Sequence, residues 1–140
     1  MIKERIVTLR NDTFADVIAD LDAATIRLHW KGYAPSPVFR GILEDAMESV
    51  RTYGITRWLA DLRDMKAILR QDELWTVQEW FPKLASAGLR RMAILTSTDY
   101  FNQMSVDRIM NDAAPVIPFI VSYFDDPDMA NIWLASDTPA

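Results

Sequence analysis

Residues 57–64 read Arg57-Trp58-Leu59-Ala60-Asp61-Leu62-Arg63-Asp64, an apolar run that ends in alternating charges. Residues 75–88 follow as Trp75-Thr76-Val77-Gln78-Glu79-Trp80-Phe81-Pro82-Lys83-Leu84-Ala85-Ser86-Ala87-Gly88. The first stretch predicts a strand from Arg57 to Leu62 that enters a charged loop, Asp61 to Asp64. The second predicts a helix over 71–87 closed by Gly88. A strand buried on both faces, followed by a helix, is the unit of a parallel sheet.

The unit repeats downstream. Met92–Ser97 and Phe119–Phe124 are apolar enough for strands with both faces covered, and helical stretches lie near 104–113 and 127–135. Asp126 can cap the last helix, with Pro127 at its first position.

Upstream the pattern differs. Arg5–Arg10 and Phe14–Leu21 flank an Asn11-Asp12 turn. Thr25–Lys31 alternates, with Ile26, Leu28 and Trp30 on one side and Arg27, His29 and Lys31 on the other. That period of two predicts antiparallel pairing with one wet face. A helix then runs from Ser36, the expected cap, through Pro37 to Gly54, burying Phe39, Ile42, Leu43, Ala46, Val50 and Tyr53. The expected fold is α/β in the order βββαβαβαβα. Its mixed sheet is antiparallel at the first strands and parallel later, with right-handed crossovers and about four helices.

Composition bounds the function. A chain of 140 residues, half hydrophobic and a quarter charged, suits one domain with a full core. A net charge of −5 argues against a phosphate-tracking surface, so no nucleic-acid partner is expected. The absence of cysteine excludes disulfides, thiolate metal sites and cysteine nucleophiles. The N-terminus lacks the apolar run of a signal peptide and no later run can span a bilayer, so the expectation is a cytoplasmic protein without a transmembrane segment.

The tryptophan helix, together with Phe101-Asn102-Gln103-Met104-Ser105-Val106 and Tyr123-Phe124-Asp125-Asp126, resembles the small bacterial STAS-like (SpoIIAA-like) proteins. The order of elements is also that of the STAS-like fold. The resemblance implies a regulatory domain that works by protein contact. In anti-anti-sigma members, a serine near the start of the helix after the fourth strand is phosphorylated and switches partner binding. Here the run from Asp61 to Trp75 contains no Ser, Thr or Tyr, so that role does not transfer. Asp64 or Asp72 can stand as a fixed negative charge there, or simply as solvated carboxylates. The fold is also grouped with the CRAL-TRIO lipid-binding domains, which implies an apolar-ligand alternative.

Two groups of residues are candidates for binding. On a helical projection Leu74, Val77, Phe81, Leu84 and Gly88 form the core side, Trp80 its edge, and Trp75 the opposite side. Pro82 should split that helix near Glu79 to Phe81, so Trp75 is either an exposed contact or turned inward. The carboxyl ends of the parallel strands gather Asp61, Arg63 and Asp64 with Ser97, Thr98 and Asp99, and Asp125 follows the last strand. Arg63 can hold an anion or pair with Asp64 or Asp99. The favoured surface joins the Asp61–Asp72 loop, the start of the tryptophan helix with Trp75, and the Ser97–Phe101 loop.

Catalysis has little support. His29 is the single histidine and falls on a polar strand face, where no triad can be drawn around it. Asp125, Asp126 and Asp128 lack cation-loop spacing, and no phosphate loop or dinucleotide fingerprint occurs. No catalytic residue, cofactor or metal is expected. The leading reading is a non-enzymatic contact domain whose partner is another protein or a second copy. Binding of a small apolar ligand is the alternative, and an enzyme of unknown class stands third.

Overall fold

The alternation in Thr25–Gly32 becomes β3, with Ile26, Leu28 and Trp30 buried and Arg27, His29 and Lys31 only half-covered. The computed structural model of the chain describes residues 5–136. Met1 to Glu4, part of the N-terminus read as lacking a signal peptide, lie outside the described residues. Around β3 the sheet assembles in chain order: β1 (Ile6–Asn11), β2 (Ala15–Asp20), β3, β4 (Arg57–Met65), β5 (Arg91–Leu95) and β6 (Ile120–Phe124). The first three strands pair antiparallel, and β3 through β6 pair parallel. The mixed α/β architecture expected from periodicity is therefore the one observed.

Crossover helices cover one face. They are α1 (Ser36–Tyr53), the pair α2 (Arg70–Trp75) and α3 (Phe81–Ala85), and α4 (Tyr100–Ala113). Their apolar sides meet Ala15, Val17, Ile26, Leu28, Trp30, Trp58, Leu62, Met92 and Ile94 in a single core. The last helix, α5 (Pro127–Ala135), lies on the opposite face, where Ala130 and Leu134 pack on Leu59, Ala93 and Leu95. It packs mainly on β4, β5 and β6, and reaches β3 through Asn131 Oδ1, which accepts from Arg27 Nη2 at 3.3 Å. Among the described residues no helix packs on the same face of β2.

Some helix ends follow the sequence and others depart from it. Gly54 closes α1 at φ +65°, and its N–H donates to Val50 O. Asp126 caps α5 by accepting from Asp128 N, as read from the sequence. Ser36 does not cap α1. It is the first helical residue, Pro35 holds the cap position, and the Ser36 hydroxyl donates instead to Asp72 Oδ2 at 2.8 Å. Tyr53 is exposed at the end of α1, and Met47 occupies the stripe in its place. The helix before β6 begins at Tyr100, four residues earlier than expected, because Asp99 caps it by accepting from Asn102 N at 3.0 Å.

The expected break before Pro82 takes a specific form. Between α2 and α3, residues Thr76–Trp80 form one π-helical turn, closed by Phe81 N–H donating to Thr76 O. Proline has no N–H to offer the carbonyl four residues back and its ring crowds that turn, so the chain widens by one residue there. The extra residue rotates everything upstream, so a single projection fails. Leu74 is 40% exposed, Val77 is only half-buried and Gly88 is exposed, whereas Asp72 and Glu73 turn inward.

Trp80 reaches the core and its indole Nε1 donates to Leu43 O at 2.8 Å. Trp80→Phe keeps the ring stack but loses that bond, and is expected to cost about 1–2 kcal/mol in urea unfolding. β6 also departs from expectation. It is an edge strand with Ile120 and Tyr123 exposed, because only its inner neighbour and α5 cover it.

Candidate functional site

The residues Asp61-Leu62-Arg63-Asp64 are not a loop. β4 continues through them to Met65, with a register shift: His29 stands opposite Asp61 while Lys31 stands opposite Asp64. Two residues of β4 thus oppose Trp30, a bulge that re-aims the chain. The bulge collects Asp61, Arg63 and Asp64 on the α5 side of the sheet, beside His29, Arg27 and Asp16.

These side chains form a paired network. Arg63 grips Asp61 with two bonds, Nε to Oδ1 at 2.9 Å and Nη2 to Oδ2 at 2.7 Å, and its backbone N–H also donates to Oδ1. Burial alone would push the Asp61 carboxyl up. The Arg63 guanidinium and backbone N–H outweigh it and hold the carboxyl below its ordinary range. The partner of Arg63 is therefore Asp61, not Asp64 or Asp99. Asp64 meets His29 Nε2 at 2.7 Å, and Asp16 lies 3.6 Å from His29 Nδ1. A shallow groove of about 430 Å³ runs along this network. Its cations and carboxylates satisfy one another, and no serine or threonine hydroxyl lines it beside His29.

Asp72 and Trp75 belong to a different place, between α1 and α2. Asp72 is buried, accepting from Ser36 Oγ and from Arg40 Nε at 3.0 Å. Trp75 packs edge-on to Phe39 with centroids 6.5 Å apart, and the Arg40 guanidinium lies over its ring at 5.3 Å. The inward alternative holds for Trp75: it is half-buried against the core and is not the exposed anchor of a contact surface. Glu73, which sequence reasoning passed over, is buried beside it and takes Arg70 at 3.0 Å and Arg108 at 2.9 and 2.8 Å. Burial raises its carboxyl, but the bonds from Arg108, Arg70 and Ser105 hold it below its ordinary value. The spacing of Arg70 and Glu73, three residues apart on a helix, was the available signal.

Ser97, Thr98, Asp99 and Phe101 form the entry to α4. Ser97 is buried; its hydroxyl donates to Met65 O and accepts from Asp99 N. Asn102 Nδ2 donates to Lys66 O at 2.9 Å, and Gln103 Nε2 donates to Ser97 O at 2.6 Å. The β5–α4 turn is thus fastened to the β4–α2 connection, residues 66–69, by bonds on both sides. Thr98 is exposed at the turn's tip. Tyr100 and Phe101 project from this frame 67% and 66% exposed, rings 5.9 Å apart at 70°. Leu69 and Met104 are exposed close by, since Asn102 and Ser105 of the same helix bond Lys66 O and Ile68 O. Tyr100 was not among the residues singled out, although its adjacency to Phe101 is plain in the sequence.

Inside the core, between the helices and the sheet, Trp30, Phe39, Trp58, Trp80 and Met92 line an apolar cavity of about 80 Å³. Ligand pockets occupy roughly 300 Å³ or more. Among the described residues no three His, Cys, Asp or Glu side chains are placed to hold a metal ion, and no helix is long and apolar enough to cross a membrane.

Compared with models of protein families, with curated proteins and with solved structures, the chain matches none. What it does must therefore be argued from its own surfaces.

Proposed function

We propose that this chain is a non-enzymatic contact domain that docks a protein partner through Tyr100 and Phe101, with Leu69 and Met104 beside them. The observation that carries the reading is the edge-to-face aromatic pair, two-thirds exposed at the start of a capped helix. Large aromatic rings left in water on a rigid frame are the side chains that dominate protein interfaces once desolvated. The bonds from Ser97, Asp99, Asn102 and Gln103 fix the frame, so little order is lost on docking. The resemblance to STAS-like proteins points the same way.

The other two readings have less support. A cavity of about 80 Å³ is too small for a lipid-like ligand without a rearranged core. The His29 network has its charges paired and no nucleophile beside them.

A photocrosslinking residue at Met104, expressed in the protein's own host, should capture a partner. The double variant Tyr100→Ala/Phe101→Ala should weaken that partner's binding by thirtyfold or more, since anchors of this kind are worth at least about 2 kcal/mol. Its unfolding free energy should stay within about 0.5 kcal/mol of the parent, because neither ring is buried. Equal capture by parent and double variant would place the contact elsewhere.

A further inference from the structure

A second site lies on the other flank of α4. Between this helix and the carboxyl ends of the parallel strands runs a cleft of about 190 Å³, with Tyr123 of β6 on its wall. Its apolar floor is Leu62, Ile94 and Val106. Crevices at this end of an open parallel sheet are where such folds accept ligands.

The polar lining is one-sided. Asn102 is 1% exposed, and its Nδ2 donates to Lys66 O. Exchanging the two ends of the amide would set oxygen against oxygen, so Oδ1 is fixed as the free end. Oδ1 is the one buried side-chain nitrogen or oxygen without a partner among the described residues. A buried acceptor left unpaired is a liability that calls for a donor.

Several neighbouring donors are already engaged within the protein. The hydroxyls of Thr96 and Ser97 donate to Phe124 O and Met65 O, and the Gln103 amide donates to Ser97 O. Asp107 lines the cleft with a carboxylate that has no ion-pair partner among the described residues. The Tyr123 hydroxyl is pushed up in pKa by burial and then by the charge of Asp107, so the two groups sense each other across the opening. No lysine, arginine or histidine lines the space. The positive pole of α4 is nearby, but the Asp99 carboxylate caps it and offsets its charge. A buried unpaired acceptor, one uncompensated negative charge, no cation and an apolar floor fit a donor-rich cation on a short hydrocarbon stem.

We propose that this cleft binds a primary alkylammonium group, with Asp107 as counter-ion, Asn102 Oδ1 as acceptor and Leu62, Ile94 and Val106 along the alkyl chain. A free amine and the end of a lysine side chain share this chemistry. The proposal does not rest on the aromatic patch and survives if that patch fails.

The test is amide chemical-shift mapping of the intact protein titrated with n-butylammonium, with 1-butanol as the neutral match. Saturable shifts confined to Leu62, Ile94, residues 96–107 and Tyr123 are expected from the ammonium, and none from the alcohol. Asp107→Asn, an exposed and isosteric change, should weaken binding at least tenfold while leaving shifts elsewhere unchanged. Tighter binding of Nα-acetyl-lysine methylamide would assign the site to a lysine side chain; equal or weaker binding would assign it to a free amine. No saturable shift, equal response to 1-butanol, or full binding by Asp107→Asn would each overturn the proposal.

Discussion

Trp58→Ala should lower the unfolding free energy by about 4 kcal/mol, read as a shift of the urea midpoint at unchanged slope. The indole is 1% exposed on the helix side of β4, the second strand of the parallel run. It meets Trp80 edge-to-face at 5.4 Å, and both rings line the small core cavity. Removing the ring enlarges a void that already exists, and the surrounding helices are too well packed to collapse into it. Because the two rings touch, Trp58→Ala combined with Trp80→Phe should cost less than the sum of the single changes. A double-mutant cycle measures that coupling. Strict additivity would mean that the rings do not pack as described.

The second large effect concerns Glu73, whose side chain is 2% exposed while its partners Arg70 and Arg108 are 59% and 43% exposed. Arg70→Ala/Arg108→Ala leaves that carboxylate buried without a counter-charge, which should cost about 3 kcal/mol at neutral pH. The sign of the pH dependence then reverses. In the parent the folded-state carboxyl sits below its ordinary value, so its contribution is present above the unfolded value and lost as pH falls through the folded one. In the double variant burial is opposed only by the Ser105 bond, and the folded value should rise. The deficit should therefore shrink as pH falls and the carboxyl takes up a proton. Equilibrium unfolding of both proteins between neutral and mildly acid pH decides it. A deficit that stays constant or grows on acidification would show that Glu73 does not depend on these arginines.

Much of the fold was legible because local rules and tertiary demands agree at particular residues. The two-residue period of β3 reports a half-covered sheet, and Gly54 and Asp126-Pro127 mark helix ends by their own backbone chemistry. Where the reading failed, a single added residue was the cause. The π turn at Thr76–Trp80 advances the phase, so Leu74 faces out and Glu73 faces in, an outcome no uniform projection can produce. The bulge in β4 does the same for a strand. Asp61, Arg63 and Asp64 look like a solvated loop because charges are rarely laid along a strand, but here Arg63 pairs with Asp61 and His29 meets Asp64, beside the part of the face that α5 covers.

The candidate residues suffered from the same cause. Closeness in sequence does not give closeness in space here, since the sheet separates Asp61, Arg63 and Asp64 from Asp72 and Trp75. Only the part around Ser97, Thr98, Asp99 and Phe101 stayed together, because a short turn and its cap cannot be divided. Asn102, Asp107 and Tyr123 had no signal in the sequence; they meet only through the parallel pairing of β5 with β6 and the crossover that precedes it.

The strands lie in the sheet in the order in which they occur in the chain. No strand has to be threaded between two that are already in place, and each parallel strand brings its own covering helix with it. A nascent chain can therefore close the β1–β2–β3 meander early and extend the sheet from one growing edge as synthesis proceeds, without waiting for distant sequence. At every stage one freshly added strand has a bare rim. Among the described residues that rim is β6, so the assembly mode that spares this protein a topological search also leaves it an edge strand with no outer neighbour there.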